Sequence, residues 1–195
     1  MATRSEITFE KFLTSNEIAF RPIAVIEGTR TPDYAVRIGD GEIIFEVKEI
    51  TADTLWDDEV VHGTIVGERI RVAVTAAKKQ VQWGATRGLP TVLVIFNTID
   101  PMQWTHTEPN DFVHAMYGED TLVIDLSTNK IVDRFHGHKK SLQESKNTSF
   151  SALAHLREGR GASTTLTLFE NIHAKVPINF STLPPCFGVV RFERA

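Results

Sequence analysis

The sequence predicts an α/β protein: a mixed central sheet with helices on its faces. Three stretches carry that expectation. Residues 31–50, TPDYAVRIGDGEIIFEVKEI, read as two strands joined by a tight turn. Residues 64–87 repeat apolar side chains at Val66, Ile70, Ala73, Val74, Ala77 and Val81, the spacing of one helix face. Residues 91–97, TVLVIFN, are a continuous apolar run after Pro90, as in a strand buried on both sides. A hairpin, then a helix, then a buried strand requires a crossover connection beside the hairpin.

Composition fits one domain over residues 1–195, with a core at about 5–135 and a C-terminal extension at about 136–195. A content of 42% hydrophobic and 24% charged residues is that of an ordinary globular chain. No run approaches the roughly 18 apolar residues of a membrane span, and MATRSEITFEKF lacks the apolar centre of a signal peptide. The single cysteine, Cys186, excludes an internal disulfide framework and suits a reducing cytoplasm. The net charge of −4 argues mildly against a nucleic-acid partner. Part of that charge is concentrated at residues 53–59 and in the candidate site, and phosphate contact needs only a local basic surface.

In chain order, SEITFEKFLTS (residues 5–15) is a short helix capped by Ser5 or Thr8, with Phe9, Phe12 and Leu13 as its apolar stripe. IAFRPIAVIE (18–27) reads as a strand with Pro22 at an edge or bulge. Within 31–50, Ile43, Phe45 and Val47 share one face, and Ile44, Glu46 and Lys48 share the other. The turn decides what Asp33 opposes. A two-residue loop at Asp40-Gly41, the favoured dipeptide, sets it opposite Lys48, whereas a loop at Gly39-Asp40 sets it opposite Glu46. A three-residue loop would set it opposite Val47. Residues 51–63, with Asp53, Asp57, Asp58, Glu59, His62 and Trp56, read as an acidic connecting loop without ligand spacing. Gly63 and Thr64 start the long helix and Gly88 closes it.

Beyond Asp100, a helix is expected at 108–117, strands at 121–126 and 131–135, a polar mobile stretch at 141–149, and strands at 149–156, 164–172 and 187–192. The basic loop His136-Gly137-His138-Lys139-Lys140 lacks the partners that zinc spacing demands and reads as a loop or a phosphate contact.

In either two-residue register, Asp33, Glu46 and Lys48 share one patch, since opposed side chains lie roughly 5 Å apart. Paired carboxylates on neighbouring strands suit a hard cation such as Mg²⁺ or Mn²⁺. A lysine beside them could orient or deprotonate a water and offset charge developing on a phosphate. The competing reading is a half-exposed ladder of Asp, Glu and Lys ion pairs.

Pro32-Asp33, twelve intervening residues, then Glu46-Val47-Lys48 resembles the signature of the PD-(D/E)xK nuclease superfamily, the restriction-endonuclease-like fold. The order α-β-β-β-α-β over roughly Phe9–Asn97 resembles that superfamily's core. The resemblance implies a metal-dependent deoxyribonuclease. Asp33, Glu46 and the Val47 carbonyl would be ligands of Mg²⁺ or Mn²⁺, and Lys48 would be the water-activating group. It also implies a glutamate from the first helix, assigned to Glu10 ahead of Glu17 and Glu6, and a glutamine or lysine from the long helix, assigned to Gln80 ahead of Lys79 and Lys78. DNA is the implied partner with RNA left open, and a homodimer is expected by that analogy alone. The alternative is a catalytically silent member that keeps the fold for binding or assembly.

Overall fold

A computed structural model describes residues 2–51, 65–100, 102–159 and 163–192. It forms a seven-stranded mixed sheet with helices on both faces, and a separate two-stranded sheet.

Helix α1 (Arg4–Ser15) begins one residue before the expected span of 5–15. Thr3, not Ser5 or Thr8, is its cap, paired in a capping box with Glu6. Ser5 and Thr8 are instead buried inside the helix. Phe9, Phe12 and Leu13 are fully buried and dock α1 on the sheet face that carries Ile43, Phe45 and Val47. Strand β1 is confined to Phe20–Pro22. As an edge strand it tolerates Pro22, whose missing N–H needs no ladder partner on the outer side. The remainder of 18–27 does not extend it.

Strands β2 (Tyr34–Ile38) and β3 (Gly41–Ile50) make the hairpin, with Ile38 opposite Gly41 and Tyr34 opposite Phe45. The loop is therefore Gly39-Asp40, not the Asp40-Gly41 that dipeptide preference favours. Gly39 alone of the two takes a positive φ, 57°, which is the demand of a turn with glycine at its first central position.

Helix α2 (Glu68–Ala85) starts later than its pattern suggests. Gly67, with φ 72°, is the N-cap, and its N–H donates to Asp111 Oδ1 at 2.8 Å. A Cβ on Gly67 would sit 2.6 Å from the Asp111 carbonyl oxygen, so the chain must turn there, which leaves Val66 outside the helix and 48% exposed. The proposed starts at Gly63 and Thr64, and nearly all of the acidic loop with Trp56, lie outside the described residues. Ile70, Ala73, Val74, Ala77 and Val81 pack on the opposite sheet face from α1. Strand β4 (Thr91–Asn97) then runs parallel to β3 and is buried throughout.

Helix α3 (Pro109–Tyr117) covers the same face as α2. Among the described residues, strands β5 (Asp120–Asp125) and β6 (Lys130–His136) pair only with each other, and leave Leu122, Ile124, Ile131, Val132 and Phe135 about half exposed. Residues 141–149 follow a folded path: Leu142 is fully buried, and the Asn147 amide donates to the Ser141 carbonyl. Strand β7 (Ala152–Glu158) lies parallel to β4, and β8 (Thr164–Glu170) and β9 (Phe187–Val190) complete the order β1-β2-β3-β4-β7-β8-β9. No helix among the described residues is long and apolar enough to cross a membrane.

Candidate metal and catalytic site

The site forms where β2 stops and β3 continues. Tyr34 is the first residue of β2, and Pro32, with its fixed φ, leads Asp33 in from the side. Asp33 is held three ways: its N–H donates to the Phe45 carbonyl (3.2 Å), its carbonyl accepts from Ile23 N–H (2.8 Å), and its Oδ2 accepts from Val47 N–H (2.8 Å). The carboxylate thus occupies the place of the missing β2 rung. Even-numbered residues of β3 turn their backbone toward β4, as Ile44 N–H to the Pro90 carbonyl and the Ile50 carbonyl to Thr98 N–H show. Val47 therefore presents both its N–H and its carbonyl on the Asp33 side.

Register places Glu46 opposite Asp33, the second of the two pairings compatible with a two-residue loop. Glu46 is 1% exposed, and its Oε1 receives Lys48 Nζ at 2.6 Å. Its Oε2 has no hydrogen-bond partner. Burial first, then the neighbouring Asp33 charge, push the Glu46 pKa up to about 7 against the pull of Lys48. Asp33 is also raised, chiefly by burial, with Val47 N–H and Lys48 opposing and the Glu6 charge adding to the rise. Two neighbouring carboxylates with raised pKa values and an unpartnered buried oxygen are electrostatically short of a cation. The donor set fits a hard divalent ion: Asp33, Glu46 and the Val47 carbonyl, with open positions for water and phosphate. Among the described residues, no cluster of three or more His, Cys, Asp or Glu side chains is arranged to hold a metal, so this would be a two-carboxylate site.

Glu10 does not join it. Its Oε1 accepts from Tyr34 Oη at 2.8 Å, on the α1 face of the sheet, so it meets the site only through its neighbour's neighbour. The α1 carboxylate whose charge raises the Asp33 pKa is Glu6, which sequence reasoning ranked last, although Glu6 also closes the helix cap. Glu17, with φ 57°, lies exposed just past the end of α1.

Gln80 is placed by packing. A Cβ on Gly84 would lie 3.1 Å from Ile44 Cγ1, which fixes that level of α2 against β3. Four helical residues back cover about 6 Å, and two strand residues forward about 6.6 Å, so Gln80 stands at the level of Glu46. Its buried Oε1 also lacks a partner. Lys78 and Lys79 are exposed.

His155 escaped the sequence reading. It stands in the same sheet row and on the same face as Lys48, with Ile95 between them. It is 7% exposed against the Phe112 ring, and its Nε2 has no partner. Burial, then the Arg157 charge, lower its pKa to about 4, so it is neutral at ordinary pH. A lone histidine in ALAHLRE carries no spacing that would have flagged it. In the basic loop, His136 Nδ1 lies 3.1 Å from the Gly118 carbonyl, and Lys139 pairs with Glu119.

Comparison of the chain with protein-family models, with curated proteins and with solved structures gives no match.

Proposed function

We propose that this protein is a metal-dependent nuclease that hydrolyses phosphodiester bonds in DNA, as its resemblance to the PD-(D/E)xK superfamily implies. The single observation that carries the reading is Asp33 meeting Glu46 where the hairpin splays, with Lys48 bonded to one Glu46 oxygen and the other oxygen unpartnered. The element order α1-β1-β2-β3-α2-β4 supports a restriction-endonuclease-like core. So does the position of Lys48 toward the carboxyl end of a strand flanked by a parallel neighbour, where α/β sheets gather their ligands.

Asp33, Glu46 and the Val47 carbonyl would hold Mg²⁺ or Mn²⁺, which when bound supplies Lewis-acid polarisation and an acidified water. Lys48 is partly exposed, at 31%, so its ammonium bridges the buried Glu46 and solvent. There it can orient an attacking water and offset phosphate charge. Gln80, at the level of Glu46, offers an amide to the same water or to a phosphate oxygen.

A catalytically silent role is favoured by a different observation. One Asp33 oxygen already accepts from Val47 N–H and one Glu46 oxygen already pairs with Lys48, so the patch holds together without a ligand. The deciding experiment is cleavage of supercoiled plasmid, linear duplex, single-stranded DNA and RNA with Mg²⁺ or Mn²⁺, for wild type and Lys48→Ala. Metal-dependent cutting that falls by about 10²–10⁴-fold in Lys48→Ala is expected. Wild-type protein that binds Mn²⁺ without cutting indicates the silent role. Neither binding nor cutting rejects the site.

A further inference from the structure

The turn around Gly28–Arg30 and the C-terminal half of α2 enclose an open cleft of about 470 Å³. Arg30, Lys79 and Arg87 line it, with Thr29, Gln82 and Trp83 between them, and among the described residues no Asp or Glu contributes to its wall. On a chain of net charge −4, that is a marked local excess of positive charge. None of the three cations enters an ion pair among the described residues. Arg87 instead lies over the Trp83 ring, 3.9 Å from its centroid, and its Nη1 donates to the Trp83 carbonyl at 2.7 Å. The guanidinium is thus anchored over the indole, and among the described residues its other N–H groups make no hydrogen bond. The Trp83 Nε1–H, buried from water, lacks an acceptor.

We infer that this cleft binds the sugar–phosphate backbone of the nucleic-acid strand flanking the scissile bond, through Arg30, Lys79 and Arg87 and without reading sequence. The inference rests on the nuclease reading of the adjoining site and gives that site its substrate track. Continuity supports it. Arg30 is three residues before Asp33, a reach of at most about 10 Å, and Lys79 is next to Gln80. At about 3.4 Å of axis per nucleotide in a strand, the track spans roughly three nucleotides outward from the carboxylates. Cations without carboxylate partners favour a polyanion. A planar Arg held on an indole is suited to bidentate phosphate contact. The wall offers cations, Thr and Gln, and its one aromatic ring among the described residues, Trp83, is covered by Arg87, so contact goes to the backbone.

The test measures binding separately from cutting. Anisotropy of labelled 12-nucleotide single strands and duplexes is followed in EDTA and in Ca²⁺, for wild type, Lys79→Glu/Arg87→Glu, and, as the charge control, Lys130→Glu on the separate β5–β6 hairpin, outside the cleft lining. The expected result is binding weakened about tenfold or more in the double variant, with the logarithmic salt slope reduced by about 2, and less than a twofold change in the control. Unchanged affinity in the double variant overturns the inference, as does an equal loss in Lys130→Glu. Failure of wild type to bind any of the strands at low salt also overturns it. Heparin competing as well as DNA of equal charge would reduce the cleft to a generic polyanion surface and reject the nucleic-acid assignment. Cleft-dependent binding without any cleavage leaves this inference standing and rejects the nuclease reading; cleavage indifferent to the double variant does the reverse.

Discussion

The two faces of β3 are built from alternate residues of one ten-residue strand, yet they are different materials. The odd face, Ile43, Phe45 and Val47, closes against Phe9, Phe12 and Leu13 of α1 with every one of these side chains buried. The even face begins the same way at Ile44, then places a carboxylate at Glu46 that is as deeply buried as its apolar neighbours and is left half-satisfied. One face spends its burial on stability. The other holds a charge in a low-dielectric place where only a further cation completes it. Side-chain alternation lets both be specified independently within a few ångströms of backbone.

The largest expected break in this contrast comes from the odd face. Phe45→Ala removes a fully buried ring that meets Phe9 in a tilted contact at 5.2 Å between centroids, and should cost about 3–5 kcal/mol in urea-induced unfolding. A loss below about 1.5 kcal/mol would mean that the α1 face is not the closed core described. Next, Glu46→Gln should behave in the opposite sense. A folded pKa of about 7 against an ordinary 4.5 means the native state holds the proton more tightly. That contribution is present below pH 4.5 and disappears as pH rises through 7, about 3 kcal/mol in all. Metal-free wild type should therefore lose stability between pH 5 and pH 8, while Glu46→Gln should be flatter and more stable at pH 8, though inactive. His155, lowered to about 4, contributes the contrary slope, present above pH 6.5 and lost as pH falls toward 4. Because both proteins carry it, the difference between their profiles reports Glu46 together with its coupling to Asp33. Identical profiles would show that Glu46 is not a strained buried acid.

The smallest effect should come from Tyr34→Phe, which deletes only the hydroxyl donated to Glu10. Glu10 is partly exposed and can accept from water instead, so about 1 kcal/mol of stability is expected, with cleavage changed less than threefold. A hundredfold fall in cleavage would return Glu10 to the catalytic group from which its position removes it.

What the sequence made legible was periodic. Alternation separated Glu46 and Lys48 from Phe45 and Val47, and the 3.6-residue stripe located α2, because each pattern is written by the residues that do the packing. What stayed hidden depended on relations between segments. Gly39, Asp40 and Gly41 offer two overlapping two-residue loops, and the choice between them shifts Asp33 from Lys48 to Glu46. Val66 fits the α2 stripe, yet Gly67 turns the chain because α3 comes too close for a side chain. Which glutamate of α1 influences Asp33 depends on the rotation of that helix over the sheet, and nothing within FEKFL encodes it. The basic cleft was invisible for the same reason: Arg30 and Arg87 are far apart in the chain and meet only once α2 has packed.

Gly84 has a further consequence. A Cβ there would collide with Thr91 Oγ1 and lie within 3.2 Å of two Ile44 atoms, so α2 rests on the sheet at backbone distance. The clearance between the long helix and the acid pair is thus set by the absence of one methyl group. Gly84→Ala would act as a shim, lifting the helix end and drawing Gln80 and the Trp83–Arg87 wall outward together. In a mutational scan this position would read as intolerant for both folding and substrate handling, although it touches no substrate.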